Sequence, residues 1–325
     1  LIVAAMIFFM VVLGGTTRLT RSGLSIVEWR LLEGTLPPLS EAHWLELFDK
    51  YQLTPEYRKV NVGMDLTGFK EIFWLEYLHR LWGRLIFFAA LIPLLWFLWR
   101  KQIEPSQVAR MVAVPLLVAA NGVLGWLMVA SGLVDIPRVS PYRLTAHLGL
   151  AIAIYGYVLW LALGLLYPAQ GKVEWAPLRR GATAVAALVF FMTLTGGFVA
   201  GTKAGYAFNT FPLMNGRFVP EGIFGMAPWW VNLFENIATV QFSHRLVAYL
   251  LLLAIPAFWW WARRFELPSR AQWLLHGLLA VLVVQVGLGI ATLIYIVPVP
   301  LGAAHQAGAL LLFTFALAAR HALRA

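Results

Sequence analysis

Eight apolar runs set the limits on what this chain can fold into. They lie at about 1–16, 75–99, 108–130, 143–167, 180–203, 237–262, 271–295 and 300–322, and a membrane-spanning helix needs roughly 20 consecutive apolar residues. The first run reads as cut short, because the sequence opens inside it. Charged residues make up only 12% of the chain, about half the usual share of roughly 25% in globular proteins. Mean hydropathy is +0.75. The fold class that follows is an all-α membrane protein with eight transmembrane helices. The start carries no basic segment ahead of its apolar run, so no cleavable signal peptide is read there.

A net charge of +10 would suit a nucleic-acid partner only if it formed a basic stripe with interleaved aromatics. The Lys and Arg are instead spread over loops, so no nucleic acid is expected. Eleven basic residues fall on one side of the predicted helices: Arg100, Lys101, Arg110, Lys172, Arg179, Arg180, Arg263, Arg264, Arg270, Arg320 and Arg324. The short loops opposite hold Arg138 and Arg143 alone, and long loops such as 17–74 and 204–236 can cross regardless of charge. Both termini are therefore expected inside, which is the matrix side for a mitochondrial protein.

Four histidines lie near the starts of apolar runs: His79 in EYLHRLWGR, His147 in RLTAHLGLA, His244 in QFSHRLVAY and His305 in GAAHQAGAL. An ionisable group in a lipid-embedded helix is costly unless it has a partner or a task, and neutral imidazole is a good iron ligand. With the termini inside, the second, fourth, sixth and eighth helices all run inward. Each histidine then falls within the first two turns of such a helix, which places all four in the outer leaflet.

An internal repeat accounts for the symmetry. GGTTRLTRSGLS from Gly14 resembles GGFVAGTKAGYA from Gly196, with Thr20, Arg21 and Gly23 matching Thr202, Lys203 and Gly205. His79-Arg80-Leu81 matches His244-Arg245-Leu246, Val123-Leu124-Gly125 corresponds to Gly287-Leu288-Gly289, and Ala146-His147 to Ala304-His305. Two four-helix bundles related by a pseudo-twofold axis are implied, 1–167 and 168–325, each entered from the same side. Within each, the second and fourth helices bring one histidine apiece, so a haem fits between two axial ligands. The residue one turn after each histidine is small: Gly83, Ala151, Ala248 and Ala309. That leaves room for a flat macrocycle, although small residues are also common packing residues in membrane helices. The bland alternative for a single such histidine is a hydrogen-bonded helix contact. His43, His276 and His321 lack this pattern and are not read as ligands.

Glu76 lies one turn before His79, on the same helical face. Its counterpart is Gln241. A carboxylate beside a haem can take a proton or stabilise a developing positive charge, whereas an amide can only hydrogen-bond. Glu76 can also simply pair with Arg80. Arg80 and Arg245 are themselves candidates for contacts to haem propionates. These residues leave three functions open: a haem-modifying oxidase, a two-haem membrane cytochrome b acting only in electron transfer, and a haem carrier without chemistry. The unlike pair Glu76 and Gln241 favours the enzyme.

The GGxTRLTxSGLS-like segment at Gly14, ExxHR at Glu76, TAH at Thr145, SHR at Ser243 and AHQ at Ala304 occur in one order along the chain. In these motifs it resembles the heme A synthases, and most closely their proteobacterial and mitochondrial branch. The resemblance implies oxidation of the C8 methyl of heme O to a formyl group, giving heme A for terminal oxidases. By the same resemblance His79 and His147 face the substrate haem, Glu76 lies near the reacting site, and His244 and His305 hold a heme b iron. Implied partners are heme O handed over by a heme O synthase, an electron donor or acceptor, and membrane lipid; an oligomer is compatible with the sequence. The implied location is a bacterial inner membrane or the mitochondrial inner membrane. Some relatives carry an outer-loop cysteine pair, but these 325 residues contain no cysteine, which excludes thiol chemistry by its own side chains. The loop 17–74, with Pro37, Pro38, Pro55 and the amphipathic stretch Ala42–Phe48, reads either as a cover for the substrate site or as a plain connection.

The charge bias generates a direct test. Single cysteines introduced at Ser106 and Ser140 are expected to be labelled by impermeant reagent from the inner and outer side respectively. The reverse pattern contradicts the outer-leaflet placement of the histidines.

Overall fold

The computed structural model describes residues 1–28, 33–134, 137–168 and 175–324. Lys172, one of the basic residues assigned to the inner side, lies outside them. The described residues form eleven α-helices: α1 (Ile2–Leu19), α2 (Glu41–Gln52), α3 (Pro55–Lys59), α4 (Leu66–Trp99), α5 (Pro105–Ala130), α6 (Pro141–Leu166), α7 (Ala176–Thr202), α8 (Asn232–Glu235), α9 (Ile237–Ala262), α10 (Ser269–Ile294) and α11 (Val299–Ala322). Eight of these are long and apolar enough to cross a membrane: α1, α4, α5, α6, α7, α9, α10 and α11. The chain is a multi-pass membrane protein. Large apolar side chains stay on the outside of these helices, as lipid-facing surface requires: Trp273 is 77% exposed and Leu253 70%.

Local chemistry explains the helix ends. Pro105 and Pro300 stand in the first turns of α5 and α11, where a missing N–H costs nothing. Asn236 Oδ1 accepts from the N–H groups of Ala238 and Thr239 and caps α9. The first span of each repeat ends alike: Arg21 and its counterpart Lys203 both adopt left-handed backbone, with φ of 55° and 61°, a common way to stop a helix.

The start of α4 departs from the expectation. It begins at Leu66 rather than near 75, with Asp65 Oδ1 accepting the Gly68 N–H at 2.8 Å. Lys70 and Glu71 lower the hydropathy of this stretch, but the helix continues through them because one face is buried. His79 is therefore more than three turns into its helix at about 3.6 residues per turn, not within the first two. His147, His244 and His305 do lie within the first two turns of α6, α9 and α11.

The chain forms two compact units, one of residues Ala5–His147 and one of Leu148–Ala325 together with Leu1–Ala4. The boundary falls inside α6 because the part of α6 after His147 packs on α7 and α11. Gly149 faces Leu194, Gly156 faces the ring of Phe313, and Tyr155 Oη shares a 2.7 Å hydrogen bond with Thr314 Oγ1. Along α7 the buried residues Leu178, Ala182, Val185, Ala186, Val189, Thr193 and Gly197 recur at helical spacing, so one stripe faces the interior of this unit. Gly277 and Gly308 let α10 and α11 approach closely, since a Cβ on either would collide with Phe315 or with Gln285.

In the first unit the segment after α1 is not a bare connection. Trp44, Phe48 and Tyr51, at helical spacing on α2, pack on Phe69, Phe73 and Tyr77, one turn apart on α4. Trp44 meets Phe73 edge-on at 4.9 Å between centroids, and Tyr51 stacks on Phe69 at 5.2 Å. Burial pushes the Tyr51 phenol up to about 12, which keeps it neutral while it accepts from Asn61 Nδ2 at 2.7 Å. Lys50 adds an ion pair to Glu28 at 2.9 Å. The extra turns of α4 are thus the surface on which α2 is seated.

Phe69 is fully buried at the centre of this cluster. Truncating a buried aromatic costs about 3–5 kcal/mol, so Phe69→Ala is expected to release α2. Amide hydrogen exchange should show lost protection over 41–52 with the eight spans still protected. Unchanged protection of α2 contradicts this seating.

Candidate functional site

Each of the four repeat-related histidines rests against a glycine on the preceding span. A Cβ built on Gly14 of α1 would stand 2.8 Å from His79 Cε1 of α4, and one on Gly125 of α5 would stand 2.9 Å from His147 Cε1 of α6. In the second repeat, a Cβ on Gly196 of α7 would be 3.4 Å from His244 Cε1 of α9, and on Gly289 of α10 2.8 Å from His305 Cε1 of α11. Carbon atoms attract best at roughly 3.5–4.0 Å, so three of these positions exclude any side chain at the present ring placement. His79 lies close enough to His147, and His244 to His305, for a charge on one ring to act on the other. The structure brings together both pairs read from the sequence.

The Nδ1 atoms show how the rings are held. His147 Nδ1 lies 3.1 Å from the backbone oxygen of Asn121. A carbonyl can only accept, so Nδ1 carries the proton and Nε2 keeps its lone pair. Asn121 is one helical turn before Gly125, and the absent Cβ of Gly125 is what lets the ring reach that carbonyl. His244 Nδ1 lies 2.8 Å from Thr195 Oγ1. The Thr195 hydroxyl gives its proton to Met192 O at 2.8 Å, so its oxygen accepts from Nδ1–H and Nε2 is again free. His305 Nδ1 lies 3.1 Å from the Gln285 amide nitrogen, which also donates to His305 O at 3.0 Å. Gln285 Oε1 is buried without a hydrogen bond, so the amide nitrogen serves both His305 atoms and donates to Nδ1. His79 differs, because its Nδ1 is buried with no hydrogen-bond partner.

This donor chemistry fits haem better than a bare metal ion. Among the described residues no three His, Cys, Asp or Glu side chains come together as a metal-binding cluster. The histidines come in twos with glycine backbone beside each ring, and at His147 and His244 the Nδ1 partner leaves Nε2 free. Two axial imidazoles suffice for an iron whose other ligands are macrocycle nitrogens.

Glu76 is 2% exposed, and both of its oxygens are occupied. Oε2 accepts from Ser25 N at 2.7 Å, Ser25 Oγ at 2.8 Å and Ile26 N at 2.9 Å. Oε1 accepts from Arg80 Nη2 at 2.6 Å and Nε at 3.1 Å. Gln241 occupies the matching place with opposite polarity. Its Nε2 donates to Ala204 O and Ala207 O, and its Oε1 accepts from Arg245 Nη2 at 3.2 Å. The two arginines serve alike: Arg80 Nη2 donates to Ile26 O at 2.9 Å and Arg245 Nη2 to Phe208 O at 2.7 Å, and Ile26 and Phe208 are repeat counterparts. Phe208 has a φ of 50°, which turns the chain so that carbonyls face the α9 side chain. A carboxylate matches N–H groups and an amide matches carbonyls, so the unlike pair has a backbone cause.

A family model described as cytochrome oxidase assembly protein, COX15-CtaA, matches residues 1–317. The chain belongs to this family. A heme A synthase of Nitrosospira multiformis is 54% identical over 323 residues, covering 98% of this chain and 91% of that protein. One from Parvibaculum lavamentivorans is 49% identical over 315 residues, covering 97% of the chain and 90% of the relative. A protein of Arabidopsis thaliana named heme A synthase COX15 is 44% identical over 333 residues, covering 99% of the chain and 73% of that protein.

In this COX15-CtaA chain the remaining histidines stay apart from the two pairs. His43, in the first turn of α2, lines a cleft with Ser25, Phe73, Arg80 and Arg84. His276 Nδ1 donates to Gln272 O at 2.7 Å, a local helix contact, and His321 packs edge-on against Trp160 at 5.1 Å. Reading the sequence missed Thr195, Gln285 and the backbone of Asn121. The repeat carries the signal for two of them, since Gln285 matches Asn121 and Thr195 matches Leu13.

The opposed polarities generate a stability test. Glu76→Gln turns an amide toward backbone N–H groups and weakens charge-assisted bonds worth about 1.5–3 kcal/mol each. Gln241→Glu sets a carboxylate against two backbone carbonyls, with repulsion in place of attraction. Both variants are expected to unfold at lower temperature than wild type, with Gln241→Glu the less stable. Equal melting of wild type and Gln241→Glu contradicts the backbone explanation.

Proposed function

We propose that this chain is a heme A synthase, oxidising the C8 methyl of heme O to a formyl group. The observation that carries the reading is the duplicated imidazole pair seated on glycine, with a carboxylate one turn before the histidine in one repeat only. Heme O is the substrate of the N-terminal half, 1–167, between His79 and His147. The C-terminal half, 168–325, holds heme b through His244 and His305. Held there by His244 and His305, heme b would supply one-electron transfer.

Glu76 is the catalytic residue of this proposal. Its oxygens are already taken by Ser25, Ile26 and Arg80, so accepting a substrate proton would first require breaking those bonds. The supported role is electrostatic: a fixed negative group in low dielectric, one turn from His79, opposing positive charge that develops at the methyl carbon. Arg80 and Arg245 donate to backbone carbonyls in both halves, and Arg245 Nε, buried without a partner, is left to meet a propionate. The cover formed by α2 and its cleft shields the substrate half from water. Heme O, itself lipophilic, arrives through the bilayer from the enzyme that makes it. The sites face the outer side of a bacterial or mitochondrial inner membrane, with both termini inside.

Expression with a heme O supply, followed by pigment extraction, tests this. Wild type is expected to yield formyl haem. Glu76→Gln is expected to keep haem yet lose conversion by at least a hundredfold, in line with about 2.7–4 kcal/mol for removing one transition-state stabiliser. Wild-type heme A from Glu76→Gln, normalised to folded protein, defeats the catalytic role. Haem retention with no formyl product from the wild type instead supports a cytochrome that only carries electrons.

A further inference from the structure

The two imidazole pairs are not held equally, and the difference follows the repeat. In the C-terminal half both Nδ1 atoms meet side chains: His244 meets Thr195 Oγ1 at 2.8 Å and His305 meets the Gln285 amide at 3.1 Å. In the N-terminal half His147 has a backbone carbonyl at 3.1 Å, and His79 Nδ1 is buried with nothing. The cause at His79 is a single substitution within the repeat. Gly14 matches Gly196, so the position of Thr195 is filled by Leu13, which has no polar atom.

We infer that Thr195 is a positioning residue that retains a resident haem in the C-terminal half, while Leu13 leaves His79 as the releasing ligand of the N-terminal half. This rests on the ligand assignment proposed above. A hydrogen bond from Nδ1–H fixes the tautomer and orientation of a ligating imidazole and makes Nε2 a stronger donor, and losing such a partner costs roughly 10–100-fold in metal affinity. A cofactor needs that hold. A substrate that must leave as product does not, and an imidazole without an Nδ1 partner is the weaker donor and can let go while the ring stays beside Gly14.

The covalent frame for exchanging the two behaviours already exists. The Thr195 hydroxyl is aimed by its bond to Met192 O, three residues earlier, and the residue three before Leu13 is Met10, on the same helical register. A threonine at 13 can make the same local bond and present its oxygen toward His79 Nδ1.

The test follows haem transfer from the purified, haem-loaded full chain to excess apomyoglobin, together with low-spin electron paramagnetic resonance. Wild type is expected to release haem in a fast and a slow phase. Thr195→Val should speed the slow phase roughly tenfold or more and shift its low-spin signal, and Thr195→Ser should restore both. Leu13→Thr should slow the fast phase and leave the slow one alone. His244→Ala separates the two levels of the claim. If it abolishes the slow-phase signal while Thr195→Val and Leu13→Thr leave both phases unchanged, the anchoring inference is wrong and the ligand assignment stands. If His244→Ala keeps an unaltered bis-imidazole signal, the ligand assignment fails and the inference fails with it.

Discussion

The contact between a histidine ring and a glycine backbone on the preceding span is the constraint on which the site depends. At Gly14, Gly125 and Gly289 the ring edge lies within 2.9 Å of where a Cβ would be, so the helices approach to a distance that no side chain tolerates. That approach places the His147 ring on the Asn121 carbonyl and brings His305 to Gln285. The tautomer of His147 is thus decided by helix packing, and that packing by the missing Cβ of Gly125.

The repeat reproduces backbone before it reproduces side chains. Arg21 and Lys203 share a left-handed helix stop, and Arg80 and Arg245 donate to the equivalent carbonyls of Ile26 and Phe208. Where the backbone turns over, at Phe208, the helix side chain changes with it from carboxylate to amide. Glu76 and Gln241 are therefore each the hydrogen-bonding match of their own loop. The catalytic proposal for Glu76 adds to this structural task and does not replace it, because a carboxylate locked by five hydrogen bonds holds its charge at a fixed point.

Much of the architecture was legible because its physics is local. The spans other than α4 begin close to their apolar runs, and the histidine pairs could be matched through the offsets between repeats. The start of α4 was not legible from hydropathy, since Lys70 and Glu71 interrupt the pattern while Phe69 and Phe73 are buried by α2 from across the loop. Glu76 stood out in the sequence against Gln241, but its ties to Ser25 and Ile26 depend on backbone N–H groups that every residue except proline carries. The same holds for the Asn121 carbonyl at His147. Leu13 against Thr195 could have been seen by extending the glycine match one residue earlier, yet a leucine in an apolar helix draws no notice until its counterpart is found touching a histidine.

The glycine contacts differ among themselves, and that difference offers the most direct measurement. Gly289 has His305 Cε1 at 2.8 Å from its missing Cβ, whereas Gly196 leaves 3.4 Å to His244. A single methyl group at 289 must displace the ring, and one at 196 meets it near van der Waals contact. Low-spin resonance of purified Gly289→Ala and Gly196→Ala, each normalised to folded protein, is expected to show the bis-imidazole signal lost or strongly shifted in the first and kept in the second. Wild-type signals in both variants would contradict the claim that glycine backbone sets the ligand geometry.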